Sequence, residues 1–321
     1  MKEIIAIAGP PASGKTRSVQ EWVNKGYTRL NRDEIGGRLD LNGQLYSTLR
    51  QKAAEGVEKF VLDNVYVNKI SRAALVEVAK EVGIPVHLVW LDTTPEQAQF
   101  FAALREIRRH GRLIGASEYS SVHKIDPNTF PPVVQFSYWK KKEDPSPDEG
   151  FASITHVKTV VDMGPGYNNR AILLDYDGTL RVTKSGKKYP TDPEDVVLLD
   201  RRRDFLHAKQ KEGFLLLGAS NQSGVAQEPN SPLYATEEQV RACFDRTNEL
   251  LGLDIDYIYA PEAAGVPQSY RRKPMPGMGV YFIEKYHLDP KQCIYVGDRP
   301  EDKGFAKRCG FQFAWAEEFF R

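Results

Sequence analysis

Short apolar runs alternate with longer stretches of helical period along the first half of the chain: IIAIA, then TRSVQEWVNK, FVLDN, SRAALVEVAKEV and VHLVWLD. A continuous apolar run bounded by polar turns fits a strand buried on both faces. An i, i+3, i+4 recurrence fits an amphipathic helix. The two in regular alternation imply a parallel sheet with crossover helices. The rhythm breaks where Pro, Gly and Asn gather, at DPSPDEG and again at MGPGYNN. A second series then starts with AILLD and runs through FLLLGASN, a helix over EEQVRACFDRTNELLG, IDYIYAPE and CIYVGD. The boundary falls near residues 160–168 and predicts two α/β domains, 1–163 and 164–321, each of ordinary size.

Composition narrows the function classes. Hydrophobic content of 41% and charged content of 27% are globular values. With 44 Lys+Arg against 43 Asp+Glu, the formal charge is +1, so any contact with nucleic acid has to be local. The basic runs at Arg105, Arg108, Arg109 and Arg112, at Lys140–Lys142 and at Arg201–Arg203 read first as solvated helix faces. Cys243, Cys293 and Cys309 are too widely spaced for a zinc site or a disulfide framework. The N-terminus opens straight into a strand without a basic-then-apolar leader, and no apolar run reaches the roughly 20 residues a bilayer span needs. A soluble intracellular protein is expected, cytoplasmic, or nuclear in a eukaryote, with no membrane partner.

Chemistry enters at GPPASGKT, Gly9 to Thr16, which fits G-x-x-x-x-G-K-[ST] between a strand and a helix. In that pattern Gly9, Ala12, Ser13 and Gly14 wrap backbone N–H groups around phosphates. Lys15 reaches the outer phosphates, and Thr16 offers its hydroxyl to Mg²⁺. Downstream, NRDEIGGR holds Asp33, which either accepts a proton from an acceptor hydroxyl, with Arg32 or Arg38 holding a nearby phosphate, or simply caps the next helix. Asp63 ends the FVL run, where a carboxylate either orients Thr16 and its metal or terminates the strand. TPEQAQFFAALREIRRHGR reads as a helix entering an arginine-bearing lid, or as a plain basic face.

In the second half, LLDYDGTL sets Asp175 and Asp177 two apart after an apolar strand, so both side chains are expected on one side. Carboxylates so close need a cation or a shared proton between them. With Mg²⁺ present, Asp175 can attack phosphorus and Asp177 can protonate the leaving oxygen. Ser220 is expected at the phosphoryl oxygens and Lys273 at the phosphate and the nucleophile. Asp298 is expected in the metal shell with Asp175 and Asp177, and Asp302 behind it.

Taken in order, GPPASGKT, NRDEIG, LDNVYVNKISRAAL and DEGFASITHV resemble the kinase domain of polynucleotide kinase–phosphatases over most of residues 3–157. The resemblance implies ATP and Mg²⁺ at Lys15 and Thr16, and Asp33 as general base for a polynucleotide 5′-hydroxyl. It also implies Asp63 in the active site, Arg105 as the lid arginine and Arg38 at the acceptor phosphate. Ala102 stands where the family often has Asn. From about residue 169 to 321, VTKSGKKYPTDPEDV, RRKPMPGM and FAWAEEFF resemble the haloacid-dehalogenase-type phosphatase domain of the same family. Ala219-Ser220 replaces its more usual Phe-Thr, and Asn221 is expected at the substrate. The elements already read fill the stretches between Asp175, Ser220 and Lys273, leaving no room for a large cap. The resemblance thus implies a P-loop kinase followed by a Rossmann-like phosphatase, acting on DNA or RNA ends before a ligase. No forkhead-associated module is visible ahead of the kinase. The rival readings are a small-molecule kinase fused to a sugar- or histidinol-phosphate-type phosphatase, and a non-catalytic end-binding scaffold.

Overall fold

The computed structural model describes residues 2–36, 39–231 and 234–321. They form two compact units, one of residues 1–101 with 133–161, the other of 102–132 with 162–321.

The first unit is built on β1 (Glu3–Ala8), β2 (Thr28–Leu30), β3 (Lys59–Asn64), β4 (Val86–Asp92) and β5 (Ser153–Lys158), in the order β2-β3-β1-β4-β5. All four pairings are parallel. Each side of this sheet has its own core, which is why the strands read as unbroken apolar runs. Ile4, Ala6 and Ala8 of β1 join Leu62, Leu88 and Trp90 on one side, while Ile5 and Ile7 join Val19, Tyr27 and Val61 on the other. The crossovers are α1 (Lys15–Val23), the single turn α2 (Arg32–Ile35), α3 (Gln44–Ala54), α4 (Lys69–Glu81) and α5 (Pro95–His110).

After α5 come α6 (Tyr119–Ile125) and α7 (Pro132–Lys141). The expected boundary at 163/164 put residues 102–132 on the kinase side; in the structure they pack with the second unit. Side-chain bonds explain this. Arg108 pairs with Glu284 at 2.9 Å, Arg271 donates to the Leu113 carbonyl at 3.4 Å, and Leu113, Ile114 and Tyr119 are buried.

The second unit carries a parallel sheet of β6 (Ala171–Leu174), β9 (Leu215–Asn221), β10 (Asp256–Ala260), β11 (Ile294–Gly297) and β12 (Gln312–Trp315), ordered β10-β9-β6-β11-β12. Its helices are α8 (Arg202–Lys211), α9 (Glu237–Leu251), α10 (Gly277–Tyr286), α11 (Pro300–Cys309) and the short α12 (Ala316–Phe319). Between β6 and α8 sits an antiparallel hairpin, β7 (Arg181–Thr183) with β8 (Val196–Leu198). From Asp175 to Lys273 the described residues hold only this hairpin, two α-helices, two short 3₁₀ helices, two strands and connecting loops, with no cap-sized insertion. No helix among the described residues is long and apolar enough to cross a membrane.

Candidate active sites

The central strand of each sheet delivers one site at its C-terminal end, where ligands collect in open parallel sheets. In the first unit β1 leads into the phosphate loop, where Ala12 and Gly14 take positive φ values of 67° and 88°. Such a left-handed pair turns consecutive N–H groups into a concave anion nest. Gly14 is the N-cap of α1 and has no side chain to satisfy the first turn, so those amides remain for an anion. Lys15 folds over the loop, donating to the Gly9 and Pro10 carbonyls at 2.9 and 2.8 Å. The Gln135 amide, which no sequence signal marked, fastens the loop from outside, donating to the carbonyls of Pro11 and Ala98 at 3.2 and 2.8 Å. Thr16 is exposed in the first turn of α1, and Ser13 is buried.

Asp63, at the end of β3, meets a partner the sequence reading missed. Arg29 of β2 grips it with two bonds, Nε to Oδ1 at 3.2 Å and Nη2 to Oδ2 at 3.1 Å. Asn31 donates to Oδ1 of the same carboxylate at 2.8 Å. The Asn31 Oδ1 also accepts from the Asp33 backbone N–H at 2.7 Å, so Asn31 is the cap of α2 and Asp33 is not. Asp33 holds its carboxylate out in solvent, 68% exposed, with the Arg32 guanidinium at 2.8 Å. Arg105 donates to the Asn128 carbonyl at 3.0 Å and lies over the Phe130 ring, and its burial draws its pKa below the usual arginine value. Arg38 lies outside the described residues.

The second site assembles around Lys273, which is 3% exposed. Its ammonium sits 3.0 Å from Asp175 Oδ1 and 2.7 Å from Asp302 Oδ1, and donates to the Tyr295 hydroxyl at 2.7 Å. Tyr295 passes its own proton to the Ala219 carbonyl at 2.7 Å, which ties β11 to β9 beneath the site. Burial pulls the Lys273 pKa down, but the two carboxylates more than offset it and the net shift is upward. Asn221, expected at the substrate, instead bonds the Lys273 main chain in both directions, at 3.1 and 3.0 Å. Ser220, at the end of β9, is buried and accepts from Gln222 at 3.1 Å.

Three carboxylates converge here. Single oxygens of Asp175, Asp298 and Asp302 all lie within 4.8 Å of one another. Asp302 Oδ2 accepts the backbone N–H groups of Asp298 and Arg299 at 3.1 and 3.0 Å, which fixes the turn that carries Asp298. Burial, with Asp175 and Asp302 alongside, lifts the Asp298 carboxyl to about 6. Crowded oxygen donors of this kind fit Mg²⁺, which takes hard ligands and would relieve their repulsion. The sequence reading put Asp177 in that shell. The structure turns its carboxylate to Arg181 Nε at 2.8 Å and to Gln222 Nε2 at 2.8 Å. The strand ends at Leu174, so strict alternation no longer governs Asp177. Gly178 follows with φ of 85°, and a Cβ there would run into the Asp298 carboxylate. Only glycine suits that turn.

Comparison with known proteins gives each unit a family. The family model for polynucleotide kinase 3 phosphatase matches residues 170–320, and that for the AAA domain matches residues 4–110. The D-glycero-beta-D-manno-heptose-1,7-bisphosphate 7-phosphatase of Mesorhizobium japonicum is 32% identical over 155 residues, covering 45% of this chain and 68% of that protein. The bifunctional polynucleotide phosphatase/kinase of Schizosaccharomyces pombe is 29% identical over 160 residues, covering 46% of this chain and 37% of that protein. Among solved structures, a chain in the Pnkp1/Rnl/Hen1 RNA repair complex aligns over 98% of this chain and 95% of its own length, at 15% identity and a TM-score of 0.34. Through its second unit the chain belongs to the haloacid-dehalogenase-type phosphatases of the polynucleotide kinase 3 phosphatase family, and its first unit is a P-loop nucleotide-binding domain of the AAA type.

Proposed function

We propose that the protein heals nucleic-acid ends, phosphorylating 5′-hydroxyls with ATP and removing 3′-phosphates. One observation carries the reading. A phosphate loop followed by the solvent-facing Asp33 shares a chain with a lysine-centred carboxylate cluster in a unit of the polynucleotide 3′-phosphatase family. The sugar-phosphatase relative and the polynucleotide phosphatase/kinase relative each match under half of the chain; a sugar phosphatase alone leaves the phosphate loop without a purpose, whereas an end-healing enzyme uses both units.

In the first site Lys15 and the loop amides would hold the ATP phosphates, and Thr16, with Asp63 nearby, would hold Mg²⁺, which supplies charge neutralisation on those phosphates. Asp33 takes the proton of the 5′-hydroxyl as that oxygen attacks the γ-phosphorus, and the bond to the β–γ bridging oxygen breaks, releasing ADP. Arg38 is assigned to the acceptor phosphate; Arg105, which donates to the Asn128 carbonyl within the second unit, is not carried into this site. In the second site Asp175 attacks phosphorus and the bond to the 3′-oxygen breaks. Asp177 gives that oxygen its proton, then takes one from the water that hydrolyses the aspartyl-phosphate. Lys273 and the Ser220 hydroxyl hold the phosphoryl oxygens. Asp175 and Asp298 would hold Mg²⁺, with Asp302 behind; the ion neutralises charge on the phosphoryl group. The products, 5′-phosphate and 3′-hydroxyl, are the ends a ligase joins.

The deciding experiment supplies ATP and Mg²⁺ with labelled 5′-hydroxyl and 3′-phosphate oligonucleotides, as DNA and as RNA, beside nucleosides and sugar phosphates. Turnover of oligonucleotide ends well above small molecules is expected. Preference for a nucleoside or sugar substrate overturns the reading.

A further inference from the structure

We infer that Arg181 and Gln222 are positioning residues that aim Asp177 at the leaving oxygen of the phosphatase reaction. The inference rests on the assignment of Asp177 as proton donor.

Each oxygen of the Asp177 carboxylate has its own donor, Arg181 Nε on Oδ1 and Gln222 Nε2 on Oδ2. Neither donor is free to wander. Arg181 is 1% exposed, and its Nη1 donates to the Cys243 carbonyl at 2.6 Å and to Thr247 Oγ1 at 2.9 Å. Its guanidinium also lies over the rings of Tyr176 and Phe244, at 5.3 and 4.8 Å. The backbone closes the same loop, with the Gly178 N–H donating to the Arg181 carbonyl at 2.9 Å and the Arg181 N–H to Tyr176 at 3.0 Å. Gln222 shares its amide with Ser220 Oγ, so it spaces the acid from the hydroxyl that faces the phosphoryl group. Asp177 itself lines a cleft of about 260 Å³ together with Gly178, Arg181, Asp298 and Arg299. The acid thus sits on the wall where a leaving strand would depart.

A buried guanidinium needs a counter-charge, and neutralising Arg181 is the rival role for Asp177. The two roles separate by leaving group. A pair that merely stabilises the fold lowers all turnover alike when broken. A pair that aims an acid matters only where the leaving oxygen needs a proton. A 3′-oxygen leaves as a poor alkoxide, whereas p-nitrophenolate leaves unprotonated.

The test compares single-turnover rate constants at saturation for a 3′-phosphorylated oligonucleotide and for p-nitrophenyl phosphate, so that weaker strand binding does not enter. Arg181→Met and Gln222→Met are expected to lose at least about tenfold more on the oligonucleotide, since a 1 Å misplacement costs up to about 10²-fold. If Arg181→Met does not fold, Arg181→Lys, which keeps the charge and loses the planar fork, gives the same selective loss. Equal losses on both substrates overturn the clamp. Asp177→Asn reports on the underlying assignment: equal losses there sink the acid itself, while a selective loss there with unselective Arg181 and Gln222 variants sinks the clamp alone.

Discussion

Asp33→Asn separates a kinase for hydroxyl acceptors from a bare ATPase, and the structure fixes what the change should cost. The cap of α2 is Asn31, so Asp33 contributes only its own backbone N–H to that cap, and this survives the substitution. What the variant gives up is the ion pair with Arg32, between side chains 68% and 41% exposed. Exposed pairs are worth about 0–1 kcal/mol, so the midpoint of unfolding should barely move. ATP affinity should hold as well, because the loop, Lys15 and Thr16 are untouched. The proton of the acceptor hydroxyl, by contrast, loses its base. That costs about 10²–10⁴-fold in transfer, or roughly 3–5 kcal/mol of barrier. The assay is single-turnover transfer from ATP to a 5′-hydroxyl oligonucleotide, beside ATP binding and thermal unfolding. Asn31→Ala serves as the structural control: it removes the cap, at about 1 kcal/mol, and also a donor to Asp63. An Asp33→Asn protein that transfers phosphate at near wild-type rate refutes the acceptor assignment.

The two chemistries should be separable: Lys15→Ala abolishes phosphorylation and spares dephosphorylation, Asp175→Asn does the reverse, and loss of both from either change in folded protein counts against two independent sites. Trapping with beryllium fluoride or borohydride, followed by peptide mapping, should mark Asp175; a mark on another residue rules out the covalent step assigned to it. Glu149→Ala should destabilise the first unit by about 3–5 kcal/mol in urea unfolding, because it strands the fully buried Arg72, now paired at 2.6 Å; a change under about 1 kcal/mol would show the pair is not needed. Burial pushes the Glu106 carboxyl up to about 7 although Tyr119 and the Ile114 N–H donate to it. A raised folded pKa means stability that is full below about 4.5 and lost as pH climbs through about 7. Relative to Glu106→Gln the wild type should therefore lose on the order of 3 kcal/mol between pH 5 and 8, and parallel stability curves would contradict the shift.

Both sheets were legible in the sequence because a strand buried on two faces needs nothing but apolar residues: IIAIA, FVL and AILL pair in the structure as their alternation with helices implies. The phosphate loop and the DYDGTL turn were legible for another reason, since their chemistry requires fixed local spacing. What stayed hidden depends on contacts between distant residues. Nothing in TRLNRD says that Arg29 reaches across to Asp63, thirty-four residues on. The cap was misread: the sequence offered Asp33 for it, and the structure gives the role to Asn31, two residues earlier, a residue type that caps about as well. Residues 102–132 read as part of the kinase because they continue a helix that begins there, and only the bonds of Arg108 and Arg271 reveal where they pack. Asp177 illustrates the limit of period-two reasoning. The strand stops before it, and the buried Arg181, four residues later, decides where its carboxylate goes.

The lysine-centred cluster explains why the phosphatase site would need its metal to be a divalent one. Three carboxylates, Asp175, Asp298 and Asp302, share a space in which a single buried ammonium, Lys273, supplies the balancing charge. Lys273 is drawn to Asp175 and Asp302, which together shift its pKa upward against the effect of burial. The charge left over gathers on the side of Asp298, whose carboxyl is lifted to about 6 by burial and by those two neighbours. Lys273 alone leaves the three carboxylates with an excess of negative charge when they are ionised; Arg299 Nε, 3.9 Å from Asp298 Oδ2, offsets part of it, and a divalent ion such as Mg²⁺ would offset the rest. A phosphoryl dianion would be repelled by the uncompensated cluster and admitted once that charge is offset, with the Lys273 ammonium 3.0 Å from Asp175. Asp302 serves the same balance: its backbone bonds hold the Asp298 turn in place, and its bond to Lys273 keeps the ammonium from sliding away from Asp175. The Arg181 guanidinium holds the Asp177 carboxylate away from this cluster, as its proposed role of proton donor requires.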